Sequence, residues 1–269
     1  MAENIFTSKS TLGFNQIQNR LNPFINFEDL DFISTASAIN NFKQGETGDC
    51  WLLGALTSIN QIPKGRRLLQ NILKPLPNGD VQVTLIGAAK SYIITKEEIR
   101  YIPKLSSGCE KVKALEIAVL KHQRSNWLLS LKYTMCNAPY GKKRANMYDT
   151  GFMPSSYGSL DTNYDEYAMF LLTGFKPNDY FNKEDELEKA LPELEKNKKS
   201  YAITVSFHSG EDDFIYNGQI FMPHHSYAVK EFRNEFFVLI NPYDTSKEWF
   251  IPYKEVKKHK SSIVAVKIA

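Results

Sequence analysis

Thiols are scarce in this chain. Three cysteines, Cys50, Cys109 and Cys136, stand among 269 residues, with no paired spacing and no CxxC, so neither a disulfide scaffold nor a cysteine zinc site is indicated. Imidazoles are nearly as rare, at five, which leaves few positions for any chemistry that needs one. No stretch approaches the roughly 18 apolar residues of a membrane-spanning helix, and Met1 to Ser10 lack the charged-then-apolar pattern of a secretory signal. A soluble, cytoplasmic protein is expected, in a reducing compartment that keeps thiols free. An excess of either charge is also missing: the net charge is +3, which suggests no nucleic-acid or membrane partner. The basic clusters Lys142-Lys143-Arg144 and Lys254 to Lys260 lack interleaved aromatics and read as solvated surface. No internal repeat or low-complexity tract occurs. With 42% hydrophobic and 23% charged residues, the chain can bury a sizeable core as one domain or as two lobes sharing a cleft.

Against that background, Gln44-Gly-Glu-Thr-Gly-Asp-Cys50-Trp-Leu-Leu53 stands out. A loop punctuated by Gly45 and Gly48 should take backbone conformations closed to other residues. It should then turn into an apolar helix over about Asp49 to Ile59, with Asp49 as N-cap. The positive end of that helix is expected to stabilise a Cys50 thiolate and pull its pKa down. A lone cysteine is more often buried packing, and Cys109 and Cys136 read that way. A reactive thiol needs a general base and a group that orients the base.

Among the five histidines, His122 follows an amphipathic run and His259 lies in a basic stretch, so both read as solvated surface. His208 reads as a strand-end residue after Tyr201 to Phe207. The pair His224-His225 opens a strand over 225–232, and Phe236 to Ile240 forms a second strand ending at Asn241-Pro242, where proline stops the ladder. If the connecting loop is Phe232 to Asn234, His225 faces Asn241 directly, Tyr227 faces Leu239 and Val229 faces Phe237. A two-residue loop would turn Asn241 to the other face. His224 is the rival base, its side chain expected to point away from Asn241.

Elsewhere, helices are expected over Arg66 to Leu73, Val112 to His122 and Glu184 to Lys196. A small antiparallel pair is expected over Val81 to Ile86 and Ser91 to Thr95, and further strands over 201–207, 235–241 and 262–268. Helices first and an antiparallel sheet later indicate an α+β architecture. Residues 1–175 would form an N-terminal arm plus the helical lobe carrying the thiol, and residues 176–269 a β-rich lobe carrying the base. Roughly the first 35 residues lack periodicity and read as an arm or cover. The polar run Ser155 to Ser159 reads as a surface loop.

The nucleophile block Gln44-Gly-x-x-Gly-Asp-Cys50-Trp-Leu-Leu, the base block His225-x-Tyr227-x-Val229 and the block Asn241-Pro242 occur in one order that resembles the protease core of the calpain family of papain-like cysteine peptidases. Weaker similarity covers Ala114 to Ala118, Thr173-Gly174 and the closing run from Glu248 to Ile268. The resemblance implies a papain-like fold with Cys50 as nucleophile, His225 as general acid and base, Asn241 orienting the imidazole, and the Gln44 side chain with the Cys50 N–H holding the oxyanion. It implies a protein or peptide substrate; nothing in the sequence identifies an inhibitor or regulatory partner. Isopeptide cleavage or acyl transfer by the same triad, and an inert binding module, are the alternatives. Three departures stand out: Tyr243 where the family has tryptophan, His224 where it has glycine, and a short Tyr243 to Lys247 connection where it has a long one with acidic calcium ligands. Lys247 occupies ground a carboxylate would need, and Asn40, Asn41, Phe42 and Lys43 supply no obvious acidic ligand before the nucleophile. The acidic runs Glu28, Asp29, Asp31 and Glu211-Asp212-Asp213 fit no calcium loop and read as solvated. No cofactor is therefore expected, and calcium, though possible by resemblance, is not favoured.

Overall fold

The structure is a computed structural model that describes residues 39, 41–125, 160, 164–208, 212–259 and 261–268. The N-terminal arm with Glu28, Asp29 and Asp31, Asn40, Cys136, Lys142 to Arg144, Ser155 to Ser159 and Glu211 lie outside the described residues.

Helix α1 (Cys50–Asn60) is apolar nearly all round, so it is a core helix, with Trp51 through Ile59 buried. Helix α2 (Pro63–Ile72) starts earlier than expected because Pro63 fits the first helical turn, where its missing N–H costs nothing. The small sheet has a third strand: β1 (Leu73–Pro75), β2 (Val81–Leu85) and β3 (Lys90–Ile94) pair antiparallel. Thr95 and Glu98 cap α3 (Lys96–Tyr101) reciprocally. Helix α4 (Glu110–Ser125) follows, and α5 (Asp165–Thr173) ends at Gly174 in the left-handed conformation, φ 72°.

The remaining elements are β4 (Asn178–Asp179), α6 (Glu184–Lys196), β5 (Tyr201–Phe207), β6 (Phe214–Tyr216), β7 (Gln219–Phe221), β8 (Ser226–Arg233), β9 (Phe236–Asn241), β10 (Asp244–Pro252), α7 (Tyr253–Lys258) and β11 (Ser261–Lys267). Strands β6 and β7 form a separate hairpin. The others build one antiparallel sheet in the order β10-β9-β8-β5-β11-β4, so the α+β class holds, with the helical part first and the sheet in the second half. The sheet is covered on both faces. Ala202, Val264 and Val266 join the apolar cluster of the helices, while their strand neighbours Ile203, Val205, Ile263 and Ala265 join a second cluster with Leu187, Leu194 and Phe221.

The β8–β9 hairpin corrects the expected register in an informative way. Asn234 and Glu235 both have positive φ, 49° and 65°, so the connection is a two-residue turn rather than Phe232 to Asn234. Alone, that turn would put Asn241 on the wrong face. The ladder then slips: Glu231 pairs with Val238 but Val229 with Leu239, leaving Lys230 as an extra bulged residue in β8. The bulge restores the parity. Beyond it Ala228 pairs with Ile240, so continuing the register sets Asn241 opposite Tyr227 and one diagonal step from His225 instead of directly across.

Candidate functional site

Cys50 is the first residue of α1, and the face of that helix bearing Cys50, Gly54 and Ser58 crosses the sheet. Ser58 Oγ donates to the Ile203 carbonyl at 2.8 Å, and a Cβ on Gly54 would lie 2.7 Å from Ser226 Oγ. Glycine is therefore required at 54 for close approach, which seats the thiol at the start of β8. There the Cys50 S–H points to the His224 carbonyl at 3.9 Å, and the Ser226 N–H donates to Sγ. His225 lies between those two backbone contacts.

The loop before the thiol is clamped from both sides. Lys43 and Ser107 exchange backbone hydrogen bonds at 3.0 and 2.9 Å, while the Thr47 N–H and hydroxyl both donate to the Lys104 carbonyl. The Gln44 N–H donates to the Pro242 carbonyl at 2.9 Å, and Thr245 Oγ1 donates to the Phe42 carbonyl at 2.8 Å. These last two bonds tie the thiol loop to the Asn241 corner. Neither Gly45 nor Gly48 has positive φ, contrary to the expectation from sequence. Gly45 is needed for space instead, since its Cβ would fall 2.2 Å from the Lys104 carbonyl oxygen.

His225, Asn241 and Tyr243 form one unit. His225 Nε2 lies 2.9 Å from Asn241 Oδ1, and that oxygen also accepts the Tyr243 N–H at 2.9 Å. Because Oδ1 is the acceptor in both contacts, Nε2 must carry the ring proton, leaving Nδ1 as the free basic nitrogen. The exposed Tyr243 ring stacks on the imidazole, with centroids 5.1 Å apart and planes 12° apart. Burial lowers the His225 pKa to about 4, against the hydrogen bond to Asn241, which raises it.

The thiol does not behave as the sequence suggests. Burial pushes Cys50 up to about 12, and the carboxyls of Asp165 and Asp49 push the same way, outweighing the N–H groups of Ser226 and Trp51. At the helix N-terminus, desolvation beats the dipole. Resting Cys50 is therefore a neutral thiol and resting His225 a neutral imidazole. Asp49, expected as a capping side chain, makes no such bond; its buried carboxyl meets the carboxyl of Glu116, which also accepts the Ser106 N–H at 2.9 and 3.2 Å.

Gln44 is buried, its Nε2 donating to the Thr47 carbonyl at 2.8 Å, which leaves the second N–H of that amide for another acceptor. His224 has φ 52° and is exposed, its ring meeting that of His208 with centroids 6.5 Å apart. Two other histidines are not the solvated residues the sequence suggests. His122 is buried and its Nδ1 lies 2.9 Å from the Tyr92 hydroxyl, while His259 stacks on Phe214 with centroids 3.7 Å apart.

Sequence reasoning missed Asp165, a buried carboxylate at the start of α5. Ser206 Oγ donates to its Oδ2 at 2.6 Å, with the hydroxyls of Ser226 and Thr204 close by. An acidic residue at a helix start reads as a solvated partner of the dipole, so the sequence held no signal. Among the described residues, no three or more His, Cys, Asp or Glu side chains cluster to hold a metal ion. Asp244, the carboxyl within the short connection, is already bound to Ser246 and paired with Lys247 at 3.0 Å. That donor set does not suit calcium.

No family model matches the chain, and no curated protein matches its sequence. Among solved structures, a candidate C39-like peptidase from Bacillus anthracis is similar at 16% identity and a TM-score of 0.25, over 41% of this chain and 58% of that one. The match thus spans less than two thirds of that chain, an overlap too slight to say anything about activity here.

Proposed function

We propose that the protein is a calpain-like cysteine endopeptidase that hydrolyses peptide bonds in a protein or peptide substrate without calcium. One observation supports this above the rest: His225 is held on Asn241 through Nε2 and stacked on Tyr243, with the backbone on either side of it touching the Cys50 thiol. In this reading Cys50 is the nucleophile, His225 the general acid and base, Asn241 its orienting partner and Gln44 an oxyanion donor. Residues 1–175 bring the thiol and residues 176–269 the base.

Because thiol and imidazole are both neutral at rest, the proton passes from Sγ to His225 Nδ1 as sulfur attacks the substrate carbonyl. The oxyanion is met by the Cys50 N–H and the second N–H of Gln44. His225 then protonates the departing amine, and water activated by His225 releases the acyl group. A thiol raised to about 12 favours the rival reading, an inert module. Isopeptide cleavage would use the same atoms.

Incubation with a thiol-directed peptidyl inactivator, followed by mass spectrometry, separates these. The endopeptidase predicts labelling at Cys50, its loss in His225→Ala, and new substrate termini absent with Cys50→Ala. Gln44→Ala should lose roughly a hundredfold to a thousandfold in turnover. A protein that leaves Cys50 unlabelled is the inert module.

A further inference from the structure

The sheet face that meets α1 and α5 carries a polar patch among apolar residues. Thr204 and Ser206 on β5 and Ser226 on β8 lie on the same face, since Thr204 pairs with Ala228 and Ser206 with Ser226. All three hydroxyls surround the Asp165 carboxyl, and Ser206 Oγ donates to it at 2.6 Å. Ser226 is also the residue against Gly54, one helical turn beyond Cys50 on the same side of α1, and its N–H donates to the thiol sulfur. A buried negative charge thus stands behind the nucleophile helix, one hydroxyl-bearing residue away from the sulfur. Nothing in the proposed chemistry uses it.

We propose that Asp165 is a positioning residue that tunes how readily the Cys50 thiol ionises, adding to the penalty of burial while its own carboxyl is charged and easing it when that carboxyl takes a proton. This rests on Cys50 being the nucleophile. The titratable groups facing the pair are few. Asp179 on β4 acts on Asp165; Asp49, against Glu116, acts on Cys50 from one side, and on the other stand Tyr227 of β8 and His225, whose neighbours in the chain touch the sulfur. Burial raises Asp165 to about 6 despite the three hydroxyls, so its charge changes near neutral pH. The influence on Cys50 is electrostatic, because like charges disfavour each other where water is excluded.

The test is the rate at which iodoacetamide alkylates Cys50 between pH 5 and 9, read by mass spectrometry, with Cys109 as an internal reference. Asp165→Asn keeps an acceptor for Ser206 and removes the charge. Cys50 should then react about threefold to tenfold faster than wild type at pH 8, and the ratio should fall toward one below about pH 6, where wild-type Asp165 is neutral. Ser206→Ala, which removes a donor that stabilises the carboxylate, should quicken Cys50 between pH 6 and 7 and match wild type at pH 9. It carries the test should Asp165→Asn fail to fold. Equal Cys50 rates at pH 8, or a ratio that does not change with pH, would overturn the proposal while leaving Cys50 as nucleophile. Reaction at Cys109 alone, in every variant, would overturn the nucleophile reading and the proposal with it.

Discussion

Buried titratable residues in this protein are governed more by dehydration than by local dipoles or partners. Cys50, His225, Asp165, Glu116 and His122 all move toward their neutral forms, and burial is the first cause in each. His122 gives the cleanest stability test, because it is remote from the thiol chemistry. Its pKa falls from 6.5 to about 4 on folding, so the unfolded chain takes up a proton first as pH drops. The contribution is therefore intact above about pH 6.5 and is lost progressively toward pH 4. Relaxation and entry of water around a protonated ring soften the penalty, so the loss is discounted to about 1 kcal/mol rather than the full linkage value. Denaturant unfolding at pH 7 and pH 4.5 should show wild type losing about 1 kcal/mol more than His122→Gln between the two conditions. Equal losses would mean that His122 is protonated as easily folded as unfolded. Such a residue misleads a reader of sequence, since a histidine after an amphipathic run gives no sign that Tyr92 from strand β3 will cover it.

At the scale of elements, two contacts decide whether thiol and imidazole meet: α1 on β8, and β8 on β9. Alanine at 54 should gain about 1 kcal/mol in helix propensity, but its Cβ would sit 2.7 Å from Ser226 Oγ, and overpacking of that kind costs about 1–3 kcal/mol. Gly54→Ala alone should destabilise or break even. In a Ser226→Ala background the clash is gone and the same change should stabilise, so the double-mutant cycle reverses sign. The hairpin test is sharper: with Lys230 deleted, Glu231–Val238 and Val229–Leu239 become consecutive pairs, so Asn241 stays opposite Tyr227 and turnover should survive. Collapse of turnover while unfolding stays cooperative would show that the diagonal His225–Asn241 contact depends on the local twist of the bulge and not on register alone. Alternation in 225–232 and 236–240 made both strands legible, and Asn-rich turn chemistry made the hairpin legible. Its register was not. The expected three-residue loop and the observed two-residue turn plus bulge have the same parity, so His225 and Asn241 share a face by either route, and only cross-strand geometry distinguishes them. Strands β6, β7 and β10 were missed because short segments, or ones interrupted by polar residues, carry no clear period of two.

For the whole molecule, the question is whether the two apolar clusters are separate bodies. The helical cluster contains Ala202, Val264, Val266 and Ile268 from the strand half of the chain, and alternate residues of β5 and β11 belong to the other cluster. One sheet is therefore the wall of both cores. Loosening either side removes packing from strands the other side needs, which couples them as one cooperative unit. Trp51 is buried in the first cluster and Trp249 packs against the second, so fluorescence can watch each in turn, in Trp127→Phe proteins that keep one of the two. Leu56→Ala and Leu239→Ala, each buried in a different cluster, should cost about 2–5 kcal/mol. Either change should move the midpoints seen by Trp51 and by Trp249 together. If Leu56→Ala shifted the Trp51 midpoint and left that of Trp249 in place, the halves would unfold independently, and the bonds from Gln44 and Thr245 to the opposite side would be holding the site together across two separately stable bodies.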